Sequence, residues 1–415
     1  MDGALGVRVG FHGSSRCLVF ADYRPEDSRF RQAIKGLKGS LRTFRDRKGE
    51  TEMAGQNVYE QLADYLNSMP IGAPKTPELM EILKTLYTQE EAALAVKLPF
   101  LPMTLDALAD RTGMEEAKLK PMLDKMAKKG TVFVELGSDE RMHRLLPTVV
   151  GFSETPFWPG KRTPETEKLA GLWIKYARNA FYHEIGGISE TPMVRVIPIQ
   201  QSLSDDRTVA PYEKLVEKVK ETTHQAVAHC PCRLMREYSG ETRCEHSTEN
   251  CLHFGSLARY MVAHGMARKI TVDETIDILK RSNEEGLVHM TANHQGQIDT
   301  ICNCCADACI FLTGLLAAGE KHMFARSNYV CEVNQETCVE CGTCAERCPV
   351  KAIAAGDGPS RIDANKCIGC GVCYPTCSSE SISLVSRPEP ERTRVSPPGE
   401  FVMKVMNDKQ REFRF

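Results

Sequence analysis

Two short cysteine runs constrain this chain more than any other feature in it. Cys338-Val-Glu-Cys341-Gly-Thr-Cys344-Ala-Glu-Arg-Cys348-Pro349 is followed by Cys367-Ile-Gly-Cys370-Gly-Val-Cys373-Tyr-Pro-Thr-Cys377, so one C-x2-C-x2-C-x3-C spacing occurs twice in tandem. Two-residue gaps let a tight loop curl around a metal centre. Gly342, Gly369 and Gly371 tolerate the positive φ that such curling needs, and backbone amides in the loops can bond the sulfurs. A zinc ribbon or a disulfide framework is the competing reading of paired cysteines, but neither calls for two tandem copies of this spacing.

The two runs closely resemble the bacterial two-cluster ferredoxins, in which three thiolates of a run hold three corners of one cubane and the fourth crosses to the other. Carried over by position, the resemblance implies that Cys338, Cys341, Cys344 and Cys377 hold one 4Fe-4S cluster. It implies that Cys367, Cys370, Cys373 and Cys348 hold the second. Ser378 departs from the family, where a second proline would follow Cys377; that proline is not a ligand.

Of the 18 cysteines in 415 residues, 17 fall between Cys230 and Cys377, in metal-ligand groupings and with no signal peptide ahead of them. That distribution predicts reduced thiols in a cytoplasm rather than a secreted disulfide framework. A net charge of -2 gives no global field that would favour nucleic acid or an anionic membrane. No apolar run approaches the length of a membrane span.

A second constellation lies upstream. Cys230-Pro231-Cys232-Arg233 is followed by Cys244 and Cys251, and then by Cys302-Asn303-Cys304-Cys305-Ala306-Asp307-Ala308-Cys309. Thiols at this density hold metal, although neither group has the ferredoxin spacing. Cys230, Cys232, Cys244 and Cys251 could form one site and Cys302, Cys304, Cys305 and Cys309 another; pairing across the groups is equally open. Fusion to the ferredoxin module favours one or two further iron-sulfur clusters, which would extend an electron wire; zinc and unmetallated redox thiols are the alternatives. His229, His246 and His253 stand beside these cysteines and are read as supporting neighbours rather than ligands. Cys17 and Cys331 fit no spacing and are read as free thiols. This half of the chain, with C-P-C-R, a C-N-C-C run and the two-cluster module, is similar to multi-cluster ferredoxin-domain proteins of anaerobic bacteria and archaea.

The expected architecture is α+β and multidomain. Residues 1–52 scatter arginines without an apolar period and are expected to be disordered or absent from the native protein, with Met53 as its start. Residues 53–150 read as a helical, winged-helix-like domain. Four helices and two strands follow from Thr76 to Leu146, with capping signals at Thr88-x-x-Glu91 and Thr104. This order resembles a winged helix-turn-helix, which implies DNA binding. Against that stand Glu115 and Glu116, which would face phosphate, and Pro121 inside the would-be recognition helix. Lys118, Lys120, Lys125, Lys128 and Lys129 are read as a solvated face, and a docking or architectural role is preferred.

Residues 151–328 are expected to form a mainly helical, Cys-rich metal-binding domain. It opens with a linker at 152–161, then a helix from Pro164 with the stripe Leu169, Leu172, Trp173, Tyr176 and Ala180, a strand at 194–199 and a helix around 212–219. Residues 329–386 are the two-cluster ferredoxin domain, and the Pro-rich residues 387–415 an extended tail.

The function these features predict is single-electron transfer through 4Fe-4S clusters, as a subunit or carrier for a redox partner such as an oxidoreductase or flavoprotein. No Rossmann fingerprint, P-loop or flavin motif is present, so substrate chemistry is placed on another chain and no catalytic residue is assigned. Membrane and nucleic acid are not expected partners. Two alternatives stand: a redox-responsive regulator acting through the winged helix, and catalysis at an atypical cluster in the middle domain.

Overall fold

The computed structural model describes residues 57–136, 141–199, 215–241 and 244–412. The arginine-rich segment 1–52, Met53, Cys17 and Tyr212 lie outside them. Three capped helices come first: Val58–Asn67, Pro77–Leu86 and Gln89–Ala95. The Asn57 side chain accepts from the Glu60 amide while the Glu60 carboxylate accepts from the Asn57 amide, and Thr88 and Glu91 form the same reciprocal pair. Thr76 caps the second helix at the Leu79 amide, with Pro77 in its first turn, where a missing N–H costs nothing. Leu62, Leu66, Leu79, Ile82 and Leu83 form the fully buried contact face of these helices.

Strand β1 (Met103–Thr104), helices Leu105–Thr112 and Glu116–Lys129, and strands β2 (Val132–Val134) and β3 (Met142–Leu145) follow. β3 lies between β1 and β2 and is antiparallel to both. Gly113 and Gly130 end the two helices at φ 70° and 79°, a conformation only glycine adopts without strain. Pro121 sits on the exposed side of its helix, opposite the buried Leu119, Leu123 and Met126. The Tyr260 hydroxyl lies 2.8 Å from the Ala127 carbonyl and 3.0 Å from that of Val132, and its ring packs on Phe133. The end of this helix and β2 are thereby fastened to the middle of the chain.

Residues 152–161 are not a linker. Phe152, Phe157 and Trp158 are fully buried, and the Pro and Gly signals of the segment mark turns within a packed structure. Helix Pro164–Tyr176 follows, with Leu169, Trp173 and Tyr176 buried and Leu172 and Ala180 partly so.

The middle region is organised by a six-stranded antiparallel sheet that the expectation of a mainly helical domain did not include. Its strands are β4 (Val194–Ile197), β5 (Gln225–His229), β6 (Glu249–Phe254), β7 (Arg268–Ile270), β8 (Val288–Ala292) and β9 (Thr300–Cys304), in the order β4-β8-β9-β6-β5-β7. Side chains alternate between the two faces of a strand. Val227, Leu252 and Ile301 therefore join one apolar layer with Ile278 and Leu279 of helix Val272–Glu284 and with Val219 of helix Leu215–Glu221. Their neighbours Ala228, Cys251 and Cys302 turn to the opposite face.

The last unit pairs β10 (Tyr329–Val333) with β13 (Ile382–Ser386), and β11 (Ile353–Gly356) with β12 (Gly358–Ile362) in a hairpin. It is stitched to the middle sheet: the Ile199 amide, just past β4, donates to the Cys370 carbonyl at 3.0 Å, and the Ser327 amide to that of Ile368 at 3.1 Å. Arg347 reaches out of helix Thr343–Arg347 to the carbonyls of Asn283 and Glu284, where helix Val272–Glu284 ends, and its Nε bonds the Val372 carbonyl at 2.8 Å.

Residues 387–412 correct the expected extended tail. Arg387 is buried and donates to the Cys367 carbonyl at 2.6 Å, and Pro398–Asp408 is a helix that buries Phe401, Val405 and Met406. Beyond it, Lys409 and Arg411 close on the fully buried Glu184, whose Oε1 lies 2.6 Å from Lys409 Nζ and 2.7 Å from Arg411 Nη1. Pro398 starts the helix rather than preventing one.

Candidate metal centres

In the last unit the eight cysteines of the two runs divide between two hollows. Cys338, Cys341, Cys344 and Cys377 line one, with Val333 and Ile382. Cys348, Cys367, Cys370 and Cys373 line the other, with Val350, Ile353 and Ile368. Cys348 and Cys377 thus cross between the runs, because β10 pairs with β13 and brings the end of the second run back beside the first. Gly342, Gly369 and Gly371 take φ of 76°, 68° and 77°. At Gly369 a Cβ would also lie 2.2 Å from the Tyr329 carbonyl oxygen. Backbone amides reach the sulfurs: Ala352 N donates to Cys348 Sγ and Ser381 N to Cys377 Sγ, both at 3.2 Å. Four sulfurs converging on each hollow, with amide donors behind them, suit a cubane.

Cys331, read from the sequence as a free thiol without partners, is brought into the second hollow by β10. Its Sγ is 3.4 Å from Cys373 Sγ, so this hollow has a fifth sulfur. Strand pairing places it there, and no residue spacing could have revealed it.

The upstream cysteines also assemble, and they mix the two sequence groups. The Cys302 side chain contacts those of Cys251 and Cys304; Cys304 continues to Cys309, Cys309 to Cys232, and Cys232 to Cys230. Cys251 and Cys302 adjoin the paired residues Leu252 and Ile301 on β6 and β9, and Cys304, two residues on, shares their face. Cys230 and Cys309 are the N-caps of helices Pro231–Tyr238 and Ile310–Leu316, whose N-terminal ends favour negative charge. Cys244 and Cys305 form a separate pair, Sγ to Sγ 3.5 Å, beside Asp307.

Arg233, only 2 % exposed, stands between these groups. It donates to the Ser247 carbonyl and Asn250 Oδ1, both at 2.9 Å, and to the Asn303 carbonyl at 2.7 Å. Burial works against its charge, but the thiolates of Cys230, Cys305 and Cys244 more than offset it and raise its pKa. His253 Nε2 is 3.2 Å from Cys251 Sγ, and its ring meets Trp158 edge-on. Burial pushes its pKa down to about 4. His229 bonds Thr248, and His246 lies 3.7 Å from Glu285.

Two acids in this neighbourhood were not singled out from the sequence. Glu154 accepts from the Gly151 amide and the Ser153 hydroxyl, both at 2.7 Å, near Cys302. Enclosure pushes its carboxyl up to about 8, and the same cause raises that of Asp299. Glu154 sits in the Pro/Gly-rich segment set aside as a linker.

No helix among the described residues is long and apolar enough to cross a membrane. Comparison of the whole chain with curated proteins and with solved structures finds no match. Residues 331–378 match the family of the 4Fe-4S dicluster domain, so the chain carries a ferredoxin-type dicluster domain toward its C-terminal end.

Proposed function

We propose that the protein passes single electrons between a redox partner and its own cysteine-rich middle region. In this reading Cys338, Cys341, Cys344 and Cys377 hold one 4Fe-4S cluster, and Cys348, Cys367, Cys370 and Cys373 hold the second. The connected thiols Cys230, Cys232, Cys251, Cys302, Cys304 and Cys309 hold further iron-sulfur. Bound clusters supply one-electron exchange without proton transfer. The chain's own residues fix the sulfurs, bury the four run cysteines of the second hollow and keep its loop against the middle region through Ile199, Ser327 and Arg347. Those ties are the observation that carries the reading, because they bring the dicluster domain and the upstream thiols into one packed body.

Arg233 supports metal in the middle region. The hydrogen-bond acceptors named above for this buried guanidinium are uncharged carbonyl and amide oxygens, and a buried charge needs compensation. Thiolates carrying metal provide it. The winged-helix-like arrangement of 53–150 is read as a docking element. Lys125 and Lys129 are engaged by Glu91 and Lys120 by Asp124, which removes much of the charge that DNA would need. A second reading, catalysis at the middle site, draws on Glu154 and Asp299, enclosed acids placed to hold protons beside Cys302.

Iron and sulfide analysis of the anaerobically purified full chain, with EPR, tests the proposal. Iron above the roughly eight atoms of two cubanes, falling to about eight in Cys232→Ser with the dicluster signals intact, is the expected result. About eight atoms in both proteins would remove the middle region from the electron path.

A further inference from the structure

Cys244, Cys305 and Asp307 make a small site of their own beside the six-thiol group. The two sulfurs and a carboxylate oxygen of Asp307 lie within 4.8 Å of one another. Cys305 comes immediately after β9, and the turn that follows it brings Asp307 against Cys305 and Cys244. Cys244 arrives from the loop beyond helix Pro231–Tyr238. Both cysteines are buried while Asp307 is exposed, so the triad is closed on the protein side and open toward solvent.

Geometry, charge and donor type agree on what would fit. Tetrahedral ligands at a Zn–S distance of about 2.3 Å stand ~3.8 Å apart. The observed Sγ–Sγ separation is 3.5 Å. Two thiolates and a carboxylate bring three negative charges, and Arg233, whose charge is felt by Cys305 and Cys244, offsets one. A divalent ion balances the remaining two. Soft sulfur with one carboxylate suits a borderline cation such as zinc, and three protein ligands leave the fourth position free for water, the pattern of open rather than closed zinc sites. A cubane, by contrast, takes a ligand at each of four corners, and the triad supplies two sulfurs.

We propose that Cys244, Cys305 and Asp307 bind one zinc ion, separate from the iron-sulfur thiols, with an open coordination position facing solvent. The site does not depend on what the six neighbouring thiols hold. Elemental analysis of the full chain, purified anaerobically, is expected to find about one zinc per chain in addition to iron. Cys305→Ser and Asp307→Ala should lose that zinc, with zinc affinity reduced at least tenfold and iron content equal to wild type. Cobalt(II) added to zinc-stripped protein should give a thiolate-to-cobalt charge-transfer band that Cys305→Ser lacks. The milder Asp307→Asn, with unchanged iron as its folding control, should show weakened zinc binding even if the other variants fold poorly. Loss of iron along with zinc in Cys305→Ser would assign the pair to a cluster and overturn the proposal. So would a wild-type chain, its thiols reduced, that takes up neither zinc nor cobalt.

Discussion

Replacing Glu184 by alanine should release the C-terminal helix. The Glu184 carboxylate has no solvent exposure and gathers Lys409 Nζ at 2.6 Å, Arg411 Nη1 and Nη2 at 2.7 and 2.8 Å, and the Gly72 amide at 2.7 Å. Its removal leaves Lys409, whose side chain is 1 % exposed, with the Glu184 backbone carbonyl at 2.8 Å in place of a counter-charge. Breaking a buried pair from one side costs about 3–5 kcal/mol, far more than the 0–1 kcal/mol of an exposed pair. Anaerobic urea unfolding of Glu184→Ala should show a loss in that range. Proteolysis should cut within 398–412 first, and iron should stay at the wild-type level. Glu184→Met with Lys409→Met and Arg411→Met should recover more than half of the loss, because three apolar side chains leave no uncompensated charge. The pH dependence has a definite sign. Burial pushes the Glu184 carboxyl up, but Arg411 and Lys409 together outweigh it and hold its folded pKa below the ordinary value. Its contribution is therefore complete above about pH 4.3, the usual carboxylate value, and disappears as pH falls through the lowered folded value. Wild type should lose more stability than Glu184→Gln on acidification below that point. A cost under about 1 kcal/mol for Glu184→Ala would refute the reasoning.

Three further outcomes follow from the cysteine geometry and the packing. Cys341→Ala should remove one cluster, read as loss of about four iron atoms, whereas Cys373→Ala should keep its cluster with an altered EPR spectrum because Cys331 can take the vacant corner; iron lost equally in both would show that Cys331 cannot substitute. Random duplex DNA should bind weakly, and Lys118→Ala with Lys125→Ala should leave that binding unchanged; a tight, salt-dependent complex abolished by this double variant would favour the regulator. Arg347→Ala should cost about 2–4 kcal/mol from its charge-assisted hydrogen bonds to three carbonyls, seen as hydrogen exchange accelerated at 283–287 and 370–374, and a change confined to the Thr343–Arg347 helix would show that the pin is not holding the two units together.

The dicluster runs were legible because ligand spacing is local, and so was the capping box of Thr88 and Glu91, where each bond spans three residues; Thr104 also takes the cap position, but its hydroxyl turns to the Asp106 carboxylate instead of a helix amide. The middle sheet was harder to see. Both faces of β6 and β9 are covered, so their apolar residues do not alternate with polar ones, and cysteines occupy the places where a strand would show its period. Grouping the upstream cysteines by sequence neighbourhood had no access to the pairing of Leu252 with Ile301, which sets Cys251 beside Cys302. The C-terminal helix was hidden by its own prolines: Pro397 and Pro398 read as breakers, while Phe401, Val405 and Met406, spaced for one helix face, carried the contrary signal. In 152–161 the turn residues outweighed Phe157 and Trp158, whose size argued for burial.

The two hollows of the dicluster domain differ in their access to water. At the first, Cys341 is exposed and Val339 beside it keeps 61 % of its surface open. At the second, all four run cysteines are buried and the loop of Cys370 is bonded to the end of β4. In the electron-transfer reading the domain is a two-terminal conductor. The loop 338–342 is its exposed terminal, whereas the second terminal lies among buried cysteines whose loop is bonded to the chain's own middle region. The sequence of electron hops is then a matter of geometry before it is one of potential.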